Sequence, residues 1–234
     1  MKLKLLYTLF FIALLGTVGW GPFTFFLPVN KEAPSSQAWV DKEASIIQSQ
    51  AKDIDPKVLR KSLVAFQKAR RQGLVDKDIL TIIDYSRASK ERRLWVVDLS
   101  KGKVLFNTWV SHGKNSGNST ATSFSNQPGS LKSSPGVFVT EKPYIGNNGY
   151  SLRLIGLERG INHNAYKRAI VMHGAWYVNQ DVIKKYGQLG RSWGCPAVSE
   201  KLAKPLINTI KERTLVFVYS DDRKWLNNSS YLAG

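Results

Sequence analysis

From Arg92 onward, the apolar residues of the chain fall into short β-prone runs, and this pattern limits the fold more than any other part of the sequence. Residues 94–99 and 104–110 are two such runs, and they flank the turn-forming segment 100–103. Two apolar runs around a glycine-bearing turn are typical of a β-hairpin. Further short runs occur at residues 136–140, 151–157, 169–173 and 214–219. Several short strands separated by turns predict a mainly β domain, a sandwich or a barrel.

The stretch from residue 31 to about 90 has a different pattern, and we expect it to be helical. Asp55-Pro56 favours a helix start, because aspartate caps free backbone N–H groups and proline suits the first turn. Apolar residues then recur at helical spacing as far as Gly73, which favours a stop. We therefore predict a helical extension at 31–90 packed on a main domain at 91–234.

The first thirty residues indicate the cellular compartment in which the protein is found. Lys2 and Lys4 precede an apolar stretch, residues 5–29, that contains no charged residue. As a helix this stretch would be about 37 Å long, enough to cross a bilayer. Its basic flank would place the N-terminus in the cytoplasm and the rest of the chain outside. We therefore predict a signal peptide or membrane anchor at 1–30 and an exported domain.

The chain is strongly basic, with 34 Lys and Arg against 17 Asp and Glu, a formal net charge of +17. Such a surface attracts polyanions. No recognised nucleic-acid-binding motif interleaves with these charges, so we expect no nucleic-acid partner. For an exported chain, the favoured partners are anionic cell-wall polymers or a membrane surface. A soluble, self-repelling surface would have the same composition.

The only cysteine of the chain, Cys195, lies in the glycine-bearing segment 190–196, and His173 lies upstream. A thiol beside an available imidazole indicates nucleophilic catalysis, since a histidine can take the thiol proton. Gly194 would let a carbonyl approach closely, and backbone N–H groups in the turn would stabilise an oxyanion. The alternative is that Cys195 is an inert buried residue and His173 a core histidine, because the sequence would then be the same.

Two other chemistries fit this region less well. Residues 190–194 match the G-x-S-x-G elbow of serine hydrolases, with Ser192 as nucleophile. The preceding buried strand, the following helix and the downstream histidine of that elbow are missing. A zinc site would lack the close ligand pairs typical of such sites. Its candidate ligands would be His112, His163, His173 and Cys195.

One further segment, residues 111–135, is rich in Ser, Gly, Asn and Thr. A loop of this length in a compact domain is usually functional or disordered. His112 lies at its start. That histidine either lines a substrate cleft, competes with His173 as the base, or is a solvated loop residue.

The pattern His-Gly, followed about twenty residues later by Ser-x-Gly-Cys, resembles the L,D-transpeptidase (YkuD-type) family. Residues 190–197 and 124–126 are most similar to its divergent branch of murein L,D-transpeptidase catalytic-domain proteins. The resemblance covers roughly residues 92–219. It implies a β-sandwich of the L,D-transpeptidase catalytic type, exported to the bacterial periplasm or cell envelope, that modifies peptidoglycan without a metal or organic cofactor.

The resemblance also implies roles for individual residues. Cys195 would attack the carbonyl between a diamino acid and D-alanine in a tetrapeptide stem, forming a thioester, and His173 would act as the base and then as the acid. Ser192 would help to orient the imidazole, and Gly194 would shape the catalytic loop. A second stem would supply the amine that resolves the thioester. The alternatives are an L,D-carboxypeptidase, with water as acceptor, and an inert basic cell-wall-binding accessory protein.

The sequence departs from the common motif of that family, Ser-His-Gly-Cys-Ile/Val-Arg, at two positions that matter. Trp193 stands in place of its histidine and Ala197 in place of its arginine. We expect Arg191 or Arg168 to supply the missing positive charge. The predicted substrate-binding residues are Arg191, Trp193, His112 and Arg168.

Overall fold

The structure is a computed structural model that describes residues 37–232. The segment predicted as a signal peptide or anchor, residues 1–30, lies outside the described residues. Between residues 37 and 232, no helix has both the length and the apolar character needed to span a membrane. The elements of this part are α1 (Gln37–Gln50), α2 (Pro56–Arg71), β1 (Ile79–Asp84), β2 (Leu94–Asp98), β3 (Lys103–Thr108), β4 (Gly136–Gly146), β5 (Gly149–Gly156), β6 (Val171–Ala175), α3 (Gln180–Tyr186), β7 (Ala197–Ser199), α4 (Glu200–Ile210), β8 (Leu215–Tyr219) and α5 (Arg223–Asn228).

These strands form one sheet, in the order β3-β2-β1-β8-β4-β5-β6-β7. The two outer strands of this sheet come together, because Ser111, just after β3, forms a bridge with Ala197 of β7. The Ser111 N–H donates to the Ala197 carbonyl at 2.8 Å. The mainly β prediction is confirmed, but the predicted sandwich is corrected to a single, nearly closed barrel-like sheet. Sandwiches and barrels share the same strand pattern, and only non-local pairing distinguishes them.

Two turns of the sheet form hairpins, and the sequence predicts the first of them. Strands β2 and β3 pair antiparallel around the predicted turn at 100–103. Strands β4 and β5 pair antiparallel around Asn147 and Asn148, and Gly149 follows with a φ of +70°. That left-handed conformation costs glycine nothing and most other residues about 1 kcal/mol or more.

The helical prediction for residues 31–90 is correct for α1 and α2. The Asp55 carboxylate caps α2 by accepting the N–H groups of Lys57 at 2.7 Å and Val58 at 3.3 Å. The chain leaves the helix before Gly73, which has a φ of +67°. The prediction is wrong at β1, which lies between β2 and β8 in the sheet. A central strand is buried on both faces, so its apolar run lacks the alternation that identifies a strand.

The sheet has a hydrophobic core on each face. Leu80 and Ile82 of β1 pack in the core beneath α1 and α2, whereas Ile83 packs in the core that contains α4. This alternation is the period of two expected of a strand. Helix α4 also packs on β6, where a Cβ added to Gly174 would lie 3.0 Å from Ala203 Cβ. Helix α4 thereby covers the strand that carries His173.

Candidate active site

Cys195 lies in the loop between α3 and β7, residues 187–196, which we call the catalytic loop after its predicted role. Gly194 determines the shape of that loop. Gly194 has a φ of +124°, in the region that favours glycine. A Cβ at this position would lie 2.8 Å from the Lys132 carbonyl oxygen and 3.1 Å from Ile170 Cδ1. The loop therefore approaches the neighbouring backbone more closely than a residue with a side chain would allow.

Ser192 holds the same loop together. Its hydroxyl donates to the Cys195 carbonyl at 2.6 Å and accepts the Gly194 N–H at 3.1 Å. Its own N–H donates to the His112 carbonyl at 2.9 Å. Helix α3 precedes this loop and β7 follows it, which is not the strand–turn–helix context of a serine-hydrolase elbow.

The Cys195 side chain is 8% exposed and contacts the backbone that leads into β6. Its S–H donates to the Ala169 carbonyl at 3.6 Å, and the Val171 N–H donates to its sulfur at 3.5 Å. Burial raises the pKa of the Cys195 thiol, while the Val171 N–H and the charge of Arg168 act in the opposite direction. The resting group is consequently a thiol, which needs a base to become a nucleophile.

His173 stands on β6, the strand whose backbone touches the sulfur. Parallel pairing sets it opposite Ala197, and it is two residues, about 6.6 Å along the strand, beyond Val171. Its Nδ1 lies 2.8 Å from the Gly174 carbonyl, which only accepts, so Nδ1 carries the proton and Nε2 keeps a lone pair. Among residues 37–232, no hydrogen bond joins this ring to the Cys195 sulfur.

Burial also lowers the pKa of His173, opposed only by the hydrogen bond to Gly174. The imidazole is therefore neutral at pH 7, with one nitrogen free to accept a proton. Protonated thiol and neutral imidazole are the states that general-base catalysis requires.

Arg168 lies beside the catalytic loop, and its donors are taken up by the segment 111–135. Its Nη1 donates to the Ser125 carbonyl and the Ser134 hydroxyl, each at 2.6 Å. Its Nη2 donates to the Ser130 hydroxyl at 3.2 Å and the Lys132 carbonyl at 2.5 Å. The four N–H donors on Nη1 and Nη2 thus fix the segment, and the guanidinium acts on the sulfur through its charge.

The segment 111–135 is ordered and packs on the catalytic loop, through a residue that the sequence does not single out. The buried Ser133 hydroxyl donates to the Gly194 carbonyl at 3.0 Å and accepts the Gly113 N–H at 3.0 Å. Arg191 adds a second connection, since its Nη1 donates to the Gly117 carbonyl at 3.0 Å and to Asn118 Oδ1 at 2.9 Å. A serine in a polar segment carries no signal of such a role, because its partner is distant in the chain.

His112 is a buried residue that stabilises the fold rather than part of an open site. The ring is fully buried: Arg93 Nη2 donates to its Nδ1 at 2.8 Å, and its Nε2–H faces the Gly117 carbonyl at 3.3 Å. Burial, with the nearby charge of Arg93, lowers the pKa of His112 to about 4. Both nitrogens are occupied, so this histidine neither lines an open cleft nor is solvated in a loop.

Exposed aromatic residues lie in and beside the catalytic loop. Trp193 is 74% exposed, next but one to Cys195, and Trp176 and Tyr186 are also largely exposed. Trp176 and Tyr186 line a cavity of about 410 Å³ that also includes Arg191. This surface offers flat apolar faces and positive charge to a ligand at the loop.

The alternative of a zinc site has no support in this part of the chain. Between residues 37 and 232, no three His, Cys, Asp or Glu side chains are grouped as metal ligands. His163 lies in a turn, where its Nδ1 accepts the Gly160 N–H at 2.9 Å.

Comparisons with known proteins agree with the motif. The family model of the L,D-transpeptidase catalytic domain matches residues 50–219, starting well before Arg92. Among curated proteins, no match is found. Similar solved structures include an L,D-transpeptidase from Mycobacterium smegmatis, with 14% identity, a TM-score of 0.37, and coverage of 61% of this chain and 59% of that one.

An L,D-transpeptidase from Stackebrandtia nassauensis has 15% identity, a TM-score of 0.37, and coverage of 80% and 78%. A helical cell shape determining protein from Campylobacter jejuni has 11% identity, a TM-score of 0.39, and coverage of 77% and 57%. The chain thus spans 59% of the length of the mycobacterial structure. The family match over residues 50–219 includes α2, every strand of the sheet, and both Cys195 and His173. The chain belongs to the L,D-transpeptidase catalytic-domain family.

Proposed function

We propose that this protein is a peptidoglycan-modifying cysteine L,D-transpeptidase that acts on tetrapeptide stems through a thioester on Cys195. The family match over residues 50–219 carries the proposal. The position of Cys195 against β6, the strand that holds His173, supports it.

In the first half-reaction, His173 Nε2 takes the thiol proton as the Cys195 sulfur attacks the carbonyl between the diamino acid and D-alanine. The resting S–H points at the Ala169 carbonyl, so it must rotate about the Cβ–S bond before this transfer. The C–N bond then breaks, and the imidazolium returns its proton to the departing amine of D-alanine. The products are a thioester on Cys195 and free D-alanine.

In the second half-reaction, the side-chain amine of another stem attacks the thioester carbonyl. His173 removes a proton from that amine, and the leaving sulfur recovers a proton as the C–S bond breaks. The result is a 3–3 cross-link and the original thiol. Water in place of the amine would give the carboxypeptidase reaction.

The tetrahedral intermediates need a donor for their oxyanion. Gly194 N–H is already bonded to the Ser192 hydroxyl, and Pro196 has no N–H. We therefore assign the oxyanion contact to the Cys195 N–H, with Ser192 as the residue that positions the loop.

The proposal also includes export to the bacterial cell envelope, with anionic cell-wall polymers or a membrane surface as further partners. An exported, basic chain with a net charge of +17 suits a bacterial cell envelope rich in anionic polymers. Peptidoglycan stem peptides are the proposed substrates.

The decisive experiment incubates the full chain with disaccharide-tetrapeptides and identifies the products by mass spectrometry. We expect a cross-linked dimer and free D-alanine, and loss of both in Cys195→Ala and His173→Gln. His163→Gln is the matched control, because it removes an exposed histidine whose ring hydrogen-bonds Asn126 and Gly160 rather than contacting Cys195. A tripeptide without dimer would establish the carboxypeptidase. No turnover by the wild-type chain would favour the inert accessory protein.

A further inference from the structure

Arg153 of β5 holds its guanidinium between two tyrosine rings. Its Cζ lies 4.5 Å from the ring centroid of Tyr144 and 5.4 Å from that of Tyr166. Its Nη1 also donates to the Tyr166 hydroxyl at 3.0 Å. Two ring contacts and a hydrogen bond favour one orientation of an otherwise exposed, charged side chain.

This guanidinium has no acidic partner within residues 37–232. Nearby cations do have one: Arg213 pairs with Asp76 at 2.5 Å and Lys77 with Glu212 at 3.4 Å. A guanidinium carries five N–H donors, and Tyr166 accepts one of those of Arg153. The remaining donors are available to an anion from outside the protein.

Two cavities adjoin Arg153, Tyr144 and Tyr166, with volumes of about 620 Å³ and 110 Å³. The larger one is also lined by Glu141, Lys142, Glu212 and Arg213, and neither of these carboxylates forms an ion pair with Arg153. Among the described residues, Arg153 is the only charged one that lines the smaller cavity.

The smaller cavity reaches the backbone that touches the catalytic sulfur. Its lining includes Ala169 and Val171, the two residues whose main-chain groups contact Cys195. In the sheet, Arg153 pairs directly with Val171, and its neighbour at i−2, Ser151, pairs with His173. Alternate residues share a face, so Arg153 and His173 belong to the same face of β5 and β6.

We propose that Arg153 binds a carboxylate of the donor stem peptide, beside the carbonyl that Cys195 attacks. The inference rests on the proposed function. Carboxylates suit this site because guanidinium groups bind them with two parallel hydrogen bonds. When the diamino acid is meso-diaminopimelate, the donor has a carboxylate on each side of that carbonyl: one at the end of the diamino-acid side chain and the terminal carboxylate of D-alanine. Either one has the required chemistry, and the test distinguishes them.

The test measures binding of a soluble tetrapeptide to the full chain by calorimetry, in a Cys195→Ala background that prevents turnover. We expect Arg153→Gln to weaken binding tenfold or more, because a charge-assisted hydrogen bond is lost. Arg153→Lys should retain part of the affinity, since it keeps the charge but loses the paired donors. Arg159→Gln is the matched control: it removes the same charge from an exposed residue outside both cavities.

Two amidated peptides locate the carboxylate. One has a carboxamide on the diamino-acid side chain, and the other has a carboxamide at the C-terminus. Arg153→Gln should have no further effect on the peptide whose amide replaces the bound carboxylate, and its full effect on the other.

The outcomes separate this inference from the proposed function. Equal affinity of the Arg153→Gln and Arg159→Gln variants for the free tetrapeptide would overturn the role of Arg153 and leave the reaction untouched. Arg153-dependent binding without turnover by the wild-type chain would support the carboxylate site and count against the reaction. Failure of the tetrapeptide to bind at all would overturn both.

Discussion

At the scale of single residues, the protonation states of Cys195 and His173 bear on how the proposed reaction would begin. A thiol with a raised pKa and an imidazole with a lowered one do not form an ion pair at rest. In the proposed mechanism, the thiolate arises only as the substrate arrives and the proton moves to Nε2. This differs from cysteine enzymes whose thiolate and imidazolium exist before the substrate binds.

The rate of iodoacetamide alkylation of Cys195 tests this difference. We expect the rate to rise with pH, with a midpoint above that of an ordinary thiol, because the thiolate is the reactive form and burial disfavours it. His173→Gln should leave the midpoint in place, since the resting ring makes no hydrogen bond to the sulfur. The chain unfolded in urea is the control and should show the ordinary midpoint. A plateau extending below pH 7, lost in His173→Gln, would instead indicate a preformed ion pair.

The sequence predicts Cys195 and His173 as candidate catalytic residues because each is part of a local motif. It did not identify Ser133, Arg93 or Arg153, whose roles depend on partners far away in the chain. For the same reason the sequence placed His112 in a cleft or in solvent, although Arg93 buries and bonds it. Residue types and spacing predict chemistry where the residues concerned are close together in the sequence. They do not predict it where residues distant in the sequence are brought together by the sheet.

At the scale of elements, the catalytic loop and the segment 111–135 form one packed unit. Gly113 and Ser192 form a short bridge, and a Cβ added to Gly113 would lie 2.9 Å from Gly194 Cα. The sequence predicts a long polar segment here, functional or disordered, and the structure shows that its order comes from side chains such as Arg168. The hairpin at residues 100–103 is predicted correctly because a turn is a local feature of the sequence. Strands β1 and β7 are not predicted, because each depends on pairing with strands elsewhere in the chain.

Substitution of Gly194 tests this packing. Gly194→Ala should lower the rate of transpeptidation at least tenfold, because the new Cβ would clash with the Lys132 carbonyl and displace Cys195. Gly129→Ala is the matched control: Gly129 also has a positive φ, +72°, but a Cβ there would meet nothing within 4 Å. The control carries a positive-φ cost of about 1 kcal/mol without the clash. Equal activity of the two variants, measured from dimer formation, would show that the close approach is unimportant.

At the scale of the whole molecule, closure of the sheet through Ser111 and Ala197 places the segment that follows β3 next to the segment that precedes β7. The second of these segments is the catalytic loop and the first packs against it, although more than eighty positions separate Ser111 from Ala197 in the chain. A sandwich, as the family resemblance implied, would not require these two edges to meet. The barrel-like closure is therefore part of how the site is built.

The net charge of +17 is the other property of the whole molecule, and it predicts how the protein associates with the cell wall. We expect binding to purified wall fragments that carry anionic polymers to weaken strongly as ionic strength rises from about 0.05 M to 0.5 M, because salt screens charges on exposed side chains. Cosedimentation at increasing salt measures this, and fragments stripped of anionic polymers are the control. Turnover of a small tetrapeptide should change much less over the same range, since its contacts are few and partly buried. Salt-independent cosedimentation would mean that the association depends on the exposed aromatic residues beside the catalytic loop rather than on the basic surface.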